Sequence, residues 1–388
     1  MMENFQYYAP TKVVFGKGTE NKAGQLVKEQ NCRKVLIHYG SGSVKRSGLL
    51  DRIFASLDEE GISYISLGGV VPNPRLSLVY EGIDLCRREG VDFILAVGGG
   101  SVIDSAKAIG YGVENEGDVW DFYERKRQAC GCLTIAAAGS EMSDSSVITN
   151  ENGWLKRGYN SSYCRPKFAV MNPELTMTLP KYQTASGCVD IMMHTMERYF
   201  NHCDNMELTD GISEHLLRTV MKNAKILMDE PQCYKARAEV MWAGSLSHNG
   251  LMACGNDGGD WACHQLEHEL GGMFDVAHGA GLAAVWGSWA RYVCDALPDR
   301  FEQFAVNVMG VENGDDKNAV IQKGIEAMEN FFRQIEMPTD LGGLNIEVSE
   351  DQMKELALKC SHFGKRTIGC VKKLNQEDIY RIYQKAAD

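Results

Sequence analysis

The stretch Phe93-Ile94-Leu95-Ala96-Val97-Gly98-Gly99-Gly100-Ser101 decides the fold. It begins with a short apolar run of the kind that is buried as a strand, and the glycines that follow end that run. Ser101 then opens a segment with helical spacing. A buried strand that leads through a turn into a helix is the repeating unit of a parallel sheet, because neighbouring parallel strands need a long crossover connection. The stretch therefore predicts an α/β fold.

The same unit recurs along the first half of the chain. The predicted strands are 34–39, 62–67, 93–97, 133–136 and 167–171, and the predicted helices are 49–60, 76–89 and one that opens at Ser101. After Pro180 no strand periodicity is found, and helical segments punctuated by glycine and proline follow. We expect a Rossmann-like α/β domain over residues 1–180, an all-α domain over residues 181–388, and an active site in the cleft between them.

Composition excludes several classes of protein. The chain has 388 residues, of which 44% are hydrophobic and 24% charged, as is typical of a soluble protein with about two domains. A net charge of -12 without blocks of Lys or Arg argues against nucleic acid as a partner. No secretory signal or apolar run of membrane-spanning length is found. The thirteen cysteines lack a C-x-x-C pair, which indicates reduced thiols in a cytoplasmic enzyme without a cysteine-based zinc site.

Two glycine-rich turns follow predicted strands and precede helices, at 40–43 and 98–101. Backbone N–H groups and the helix dipole would face a phosphate at such a turn, so we predict a nucleotide site there. Neither turn matches G-x-G-x-x-G, and a glycine turn can also serve tight packing alone. The small-residue loop 139–143 could approach the same ligand. The candidate cofactor residues from these segments, and from the first turn of the helix that opens at Ser101, are Ser41, Ser43, Gly99, Gly100, Ser101, Asp104 and Ser140.

The second half of the chain carries a cluster of histidines. His264 and His268 are spaced to share one helix face, and His278 follows after a short loop. Asp190 and His194 show the same spacing on an earlier helix. Such a set of nitrogen and oxygen ligands suits Fe²⁺ or Zn²⁺. A surface helix with exposed histidines would show the same pattern.

Spacing leaves two choices open in this cluster. Asp260, His264 and His268 would also share one helical stripe if the helix spans 260–270 and ends at the two glycines 271–272, so spacing does not decide between Asp190 and Asp260. It also does not say which of His264 and His268 binds metal. The histidines without partners at metal-binding spacing are interpreted as structural or surface residues: His202, His215, His248 and His362.

Taken in order, these motifs resemble the iron-containing (group III) alcohol dehydrogenases. The resemblance rests on 98–104, on 139–142, on Asp190-x-x-x-His194, on His264-x-x-x-His268 and on His278-Gly279. The segments 39–45 and 259–264 are similar to butanol dehydrogenases and NADPH-dependent aldehyde reductases within that family. The resemblance covers nearly the whole chain. It implies a two-domain architecture like that of dehydroquinate synthase, and a homodimer.

The resemblance also assigns roles within the cluster. It implies that the metal ligands are Asp190, His194, His264 and His278, and that His268 lies near the substrate without binding metal. Asp260 is then an outer or helix-start residue. Thr134, Lys156 and Thr178 match positions that line the cofactor cleft. Two departures bear on cofactor placement: alanines at 136–138 stand where relatives usually carry a proline and a threonine, and Ser143 replaces a more usual asparagine.

We therefore expect a metal-dependent alcohol dehydrogenase that acts as an aldehyde reductase on small alcohols and aldehydes. NADP(H) is favoured over NAD(H), because the turn after the first strand offers Ser41, Ser43 and Lys45 but no carboxylate for a ribose 2′-OH. Two alternatives stay open. One is a sister enzyme such as a glycerol dehydrogenase or a dehydroquinate synthase-like lyase. The other is a protein that binds nucleotide and metal without turnover.

Overall fold

A computed structural model describes residues 1–136 and 140–387, with only the backbone of residues 134–136. The chain forms two compact units. One comprises Tyr8–Thr176, and the other comprises Met1–Tyr7 together with Met177–Asp388. The expected boundary at Pro180 lies four residues beyond the one observed. The inclusion of the first seven residues in the second unit, where Glu3 N donates to Gly255 O, has no counterpart in the expected division.

The first unit alternates strands and helices. Its strands are β1 (Lys12–Phe15), β2 (Lys34–Gly40), β3 (Ser63–Val70), β4 (Phe93–Val97), β5 (Thr134–Ala136), β6 (Ser145–Asn150), β7 (Leu155–Asn160) and β8 (Phe168–Met171). Its helices are α1 (Ala23–Lys28), α2 (Ser43–Arg46), α3 (Leu49–Glu59), α4 (Leu76–Glu89), α5 (Gly100–Glu114) and α6 (Trp120–Tyr123).

The central sheet is parallel, with the strand order β3-β2-β4-β5. Val35 and Ile37 face a core formed with α1 and α3, whereas Leu36 and Ile94 face a second core formed with α4 and α5. Because β2 leads to β3 on one side and β4 leads to β5 on the other, the strand order reverses between β2 and β4. Open α/β sheets bind ligands at the carboxyl ends of the strands beside such a reversal. Both glycine turns lie at this edge.

Two strand pairings of the first unit differ from the sequence prediction. The predicted strand at 167–171 does not extend the central sheet in the described part of the chain, because β8 pairs with β1 in a separate parallel pair. In addition, β6 and β7 form an antiparallel hairpin that was not predicted. Hydrophobic patterning identifies a strand but not its partner. The strand at 168–171 was therefore predicted, but its pairing with β1 was not.

The second unit is helical. Its helices are α7 (Lys181–Tyr199), α8 (Glu207–Asp229), α9 (Tyr234–His248), α10 (Ala262–Phe274), α11 (His278–Val293), α12 (Pro298–Asn307), α13 (Lys317–Gln334), α14 (Glu350–Cys360) and α15 (Gln376–Ala387). They share one large apolar core. Backbones pack closely around α7: a Cβ on Gly279 would lie 1.9 Å from Ser186 O, and one on Gly259 would lie 2.4 Å from Glu197 O. Within residues 1–136 and 140–387, no helix is both long and apolar enough to cross a bilayer.

Helix α10 differs from its prediction at both ends. It begins at Ala262, so Asp260 precedes it and does not share a helical stripe with the histidines. It also continues through the two glycines at 271–272, which are buried, to Phe274, and Asp275 follows in the left-handed conformation. A glycine costs a helix interior only about 1 kcal/mol, and tertiary packing readily outweighs that cost. The predicted end at the two glycines is therefore wrong.

A buried histidine in β2 gives the first unit a predicted sensitivity to acid. His38 Nδ1 lies 2.9 Å from Leu67 O, and Nε2 lies 2.9 Å from Ser105 Oγ. Burial lowers the pKa of His38 to about 4, although the contact with Leu67 O favours the charged form. The unfolded chain, with a histidine pKa near 6.5, therefore binds a proton that the folded chain does not. The contribution of neutral His38 to the free energy of unfolding is complete above pH 6.5 and is lost as the pH falls towards 4.

We expect this loss to reach about 3 kcal/mol, from roughly 1.4 kcal/mol per pKa unit. Urea unfolding of the native chain and of His38→Asn at several pH values would measure it. The difference between the two free energies of unfolding should change between pH 6.5 and 4. A difference independent of pH would contradict the prediction.

Candidate metal centre and nucleotide site

Four predicted ligands converge in the second unit. Asp190 and His194 lie on α7, His264 on α10, and His278 is the first residue of α11. Asp190 Oδ1 lies 3.4 Å from His194 Nε2, 3.7 Å from His264 Nε2 and 3.5 Å from His278 Nε2. Asp190, His194 and His264 also present ligand atoms that all lie within 4.8 Å of one another. One carboxylate oxygen is thus surrounded by three imidazole nitrogens.

The donor atoms fit a metal ion. Asp190 Oδ1 and His264 Nε2 are buried and make no hydrogen bond within the described residues. Buried polar atoms without partners are costly, and a divalent cation would satisfy both. Three imidazoles and one carboxylate form a donor set that suits Fe²⁺ or Zn²⁺. The geometry supports a metal site at these four residues.

Two glutamates hold the outer nitrogens of the imidazoles. Glu197 Oε1 accepts from both the Nδ1 of His264, at 2.9 Å, and its backbone N–H, at 3.0 Å. Glu267 Oε2 is hydrogen-bonded to Nδ1 of His278. A proton fixed on Nδ1 leaves the Nε2 lone pair for a metal. Both glutamates are buried.

Sequence reasoning missed these glutamates although a signal was present. Glu197 follows His194 by three residues, and Glu267 follows His264 by three residues. On a helix this spacing places the carboxylate one turn beyond a ligand, beside the site. What the spacing could not supply is the partner, because each glutamate binds a histidine of another helix.

The charges of the ligand set are coupled. Burial opposes ionisation of Asp190, but the imidazoles of His194, His278 and His264 outweigh it and hold the pKa of the carboxyl well below its usual range. Burial also opposes the charged form of His264, yet the carboxylates of Asp190 and Glu197 raise its pKa to about 9. Burial and the neighbouring His248 keep the pKa of His194 well below its ordinary value. A metal would therefore displace a proton from His264 on binding.

Asp260, the rival carboxylate, is occupied elsewhere. Its Oδ1 accepts from Ala262 N at 3.1 Å, and its Oδ2 accepts from Cys370 N and Val371 N at 2.8 Å each. The carboxylate thus fixes the start of α10 and ties it to the 370–371 segment. These backbone donors explain why Asp260 does not join the ligand cluster.

Three other aromatic side chains surround the ligands. The ring centroid of His268 lies 5.9 Å from that of His278, and neither residue belongs to the group of three whose ligand atoms lie within 4.8 Å of one another. His248, interpreted from sequence as a structural or surface residue, packs with its ring centroid 3.8 Å from that of His194. Trp261 lies 5.2 Å from His264 in an edge-on arrangement and has a φ of 62°, which is unusual for a bulky residue. Aromatic side chains therefore pack against the ligand histidines.

The two glutamates provide a test of this arrangement. Glu197→Gln and Glu267→Gln keep the shape of the side chain but remove the charge that supports each imidazole. We expect each to weaken metal binding by roughly 10- to 100-fold, the usual effect of losing an outer partner of a histidine ligand. Competition with a chromogenic chelator would measure the dissociation constant.

Glu214→Gln is the matched control. Glu214 is also buried in the helical unit, but it accepts from Tyr199 Oη, Gln303 Nε2 and Asn307 Nδ2, at 2.9 Å each. The metal affinity of the Glu214→Gln variant should stay within about twofold of the native value. Equal losses in all three variants would show a general effect of buried charge and would contradict the assigned role.

The glycine turn after β4 forms an open cradle in the first unit. A Cβ on Gly98 would lie 2.6 Å from Val102 Cγ2, whereas a Cβ on Gly99 or Gly100 would meet no atom within 4 Å. Packing therefore explains Gly98 but not the next two glycines. The space above them, at the N-terminus of α5, fits a phosphate that approaches the backbone closely. The turn suits a dinucleotide.

The other predicted cofactor residues are distributed as follows. Ser41 and Ser43 are exposed after β2, and Ser101 is half-buried in the first turn of α5. Asp104 Oδ2 accepts from Val147 N at 3.1 Å, so its carboxylate braces the hairpin. Ser140 Oγ lies 2.8 Å from Ser143 Oγ, and Lys156 is buried. Thr178 is exposed and belongs to the second unit. The side chain of Thr134 lies outside the described residues, and so do Ala137 and Ala138.

Comparison with known proteins identifies the family. The family described as "Iron-containing alcohol dehydrogenase" matches residues 10–173, and the one described as "Fe-containing alcohol dehydrogenase family, C-terminal" matches residues 184–387. The chain belongs to the iron-containing alcohol dehydrogenase family. It is 39% identical to the NADH-dependent butanol dehydrogenase A of Clostridium acetobutylicum, over 99% of this chain and 100% of that protein. The predicted family is confirmed.

Other relatives agree in fold but differ in cofactor. The NADPH-dependent aldehyde reductase YqhD of Escherichia coli is 34% identical, over 99% of this chain and 100% of its own. The crystal structure of an NADH-dependent butanol dehydrogenase A from Thermotoga maritima superposes with a TM-score of 0.95 at 39% identity, covering 100% of this chain and 99% of that one. The predicted fold class is thereby confirmed, and the protein is an oxidoreductase of the alcohol dehydrogenase class.

Proposed function

We propose that the protein is a metal-dependent, nicotinamide-dependent aldehyde reductase that interconverts small aldehydes and primary alcohols. The observation that carries the proposal is the convergence of three imidazole nitrogens on Asp190 Oδ1. The names of the relatives, which include butanol dehydrogenases and an aldehyde reductase, support the substrate class. Fe²⁺ and Zn²⁺ both suit the donor set, and the cofactor is NADP(H) by preference, with NAD(H) as the alternative.

In this proposal the side chains of the metal centre have two roles, metal binding and orientation of the ligands. Asp190, His194, His264 and His278 would hold a divalent ion, which when bound acts as a Lewis acid towards a carbonyl oxygen. Glu197 and Glu267 keep the Nδ1 proton on two of the imidazoles, so that their Nε2 atoms face the site. A nicotinamide cofactor with its phosphates at the glycine turn would supply the hydride.

His268 is the residue to which we assign the proton. Reduction of an aldehyde requires a proton at the oxygen as the hydride reaches the carbon. The ring of His268 stands beside that of His278, and the three imidazole nitrogens around Asp190 Oδ1 come from other residues, so in this proposal the imidazole of His268 carries that proton.

The decisive assay follows NADPH oxidation with butanal after the protein has been stripped by a chelator and then supplied with Fe²⁺ or Zn²⁺. We expect turnover only with metal. Reduction confined to a hydroxyketone, the oxidised form of a polyol, would favour a glycerol dehydrogenase-like enzyme. Tight binding of NADPH and metal without oxidation of NADPH by any aldehyde would favour a binding protein instead.

The preference for NADPH has its own test. Ser41 and Ser43 are exposed, and Lys45 lies with its ammonium 5.1 Å from the Tyr39 ring, near where a ribose 2′-phosphate would sit. We expect kcat/KM to be about tenfold higher with NADPH than with NADH, equivalent to roughly 1.4 kcal/mol. Ser41→Asp should reverse part of this preference, and the neutral Ser41→Asn should not. A large preference of the native protein for NADH would contradict the prediction.

Cellular setting and assembly complete the proposal. All thirteen cysteines are free thiols, and only Cys130 is exposed. This usage suits a reducing compartment and supports a cytoplasmic enzyme. The family resemblance supports a homodimer, which light scattering would test.

A further inference from the structure

We propose that Lys107 is a positioning residue for the nicotinamide cofactor, acting through the 140–145 segment; this inference rests on the proposed function. Lys107 lies on α5 and is completely buried. Its Nζ lies 2.8 Å from Ser143 Oγ, 2.8 Å from Ser145 O, 3.0 Å from Ser143 O and 3.3 Å from Ser140 O. All four oxygens belong to one short segment.

The burial of the Lys107 ammonium is costly, which indicates that its contacts with the 140–145 segment have a functional role. A buried lysine is rare unless its charge is compensated, because removal from water is strongly unfavourable. Here three backbone carbonyls and one hydroxyl surround three N–H donors, so hydrogen bonding to the cation is complete. The segment in turn is held at three residues by one side chain. Lys107 therefore fixes the shape of a segment that lies outside helices and strands until Ser145, the first residue of β6.

The segment lies at the ligand-binding edge of the sheet. It follows β5, which is paired to β4, and the glycine turn follows β4 at the same edge. Helix α5 begins at this turn, and its next turns carry Asp104 and Lys107. Asp104 Oδ2 accepts from Val147 N at 3.1 Å, just beyond the segment. One rigid helix thus sets both the phosphate turn and the neighbouring 140–147 stretch.

A chain of hydrogen bonds links Lys107 to Ser140. Lys107 Nζ donates to Ser143 Oγ, which leaves the hydroxyl proton of Ser143 to be donated. The nearest acceptor is Ser140 Oγ at 2.8 Å. In that direction the Ser140 hydroxyl keeps its own proton for an outside acceptor, such as a phosphate or carboxamide oxygen of a dinucleotide. Ser143, the departure from asparagine, is the middle member of this chain.

The test measures NADPH binding directly, by fluorescence titration of the metal-loaded and the metal-free protein. Lys107→Met removes the ammonium and keeps most of the stem, and Ser143→Ala removes the hydroxyl that joins Lys107 Nζ to Ser140 Oγ but keeps the three carbonyl contacts of Lys107. We expect the dissociation constant to rise about tenfold or more in Lys107→Met and several-fold in Ser143→Ala. Ser143→Thr restores a hydroxyl and should bind nearly as the native protein does. In turnover, KM for NADPH should rise with little change in KM for the aldehyde.

Lys34→Met is the matched control. Lys34 stands in the same unit at the opposite end of β2, where its Nζ binds Glu89 Oε2 at 2.7 Å. It should bind NADPH as the native protein does, and metal content should be native in all four variants. Native affinity in folded Lys107→Met, or in Ser143→Ala if Lys107→Met does not fold, would overturn the inference. If the native protein itself bound no dinucleotide, the proposed function would fail instead.

Discussion

Replacing His264 with alanine is expected to abolish metal retention and aldehyde reduction together. His264 Nε2 is one of the three imidazole nitrogens around Asp190 Oδ1, and it has no hydrogen-bond partner within the described residues. A Lewis acid contributes several kcal/mol to such a reaction, so turnover should fall by about 10³-fold or more. Metal content by plasma emission spectrometry and NADPH oxidation with butanal would be measured on the same preparation.

Two further variants separate ligand loss from misfolding. His278→Ala should lose metal and turnover in the same way, and His278 is more exposed than His264, so its removal disturbs packing less. His215→Ala, on the exposed face of α8, should retain both. Full activity with full metal content in His264→Ala would refute the ligand assignment.

Replacing His268 with alanine should lower turnover without loss of the metal. The metal should stay bound, because the three imidazole nitrogens around Asp190 Oδ1 come from His194, His264 and His278. Turnover should fall by about 10²-fold or more, in line with the removal of a group that transfers a proton. The pH dependence of kcat should change as well, which a packing role would not produce. Native turnover would exclude His268 from proton transfer, and loss of the metal would make it a ligand.

The sequence predicts much of the central sheet because buried strands carry a local signal. The run at 93–97 and the glycines after it are apolar and sharply bounded, and the structure contains β4 over those residues. The pairing of β8 with β1 has no such signal. Strand partners depend on which apolar faces meet in three dimensions, and many pairings satisfy the same local pattern.

The candidate site shows the same division. The spacing of Asp190 and His194 is local, and it places both on one face of α7. The choice between Asp190 and Asp260 is not local, since Asp260 is saturated by backbone donors at residues 262, 370 and 371. Glu197 is similar, because its partner His264 comes from another helix. Contacts between residues distant in sequence decide these roles.

The distribution of the ligands over α7, α10 and α11 also bears on how the protein folds. No single helix carries the full set, so the unfolded chain holds no preformed site, and an ion captured at Asp190, His194, His264 and His278 would act as a reversible cross-link between three helices. Binding confined to the native state raises the free energy of unfolding by mass action, by about 2.7 kcal/mol at a free ion concentration a hundred times the dissociation constant. Supply of the ion would then govern the lifetime of the helical unit in the cell as well as its chemistry.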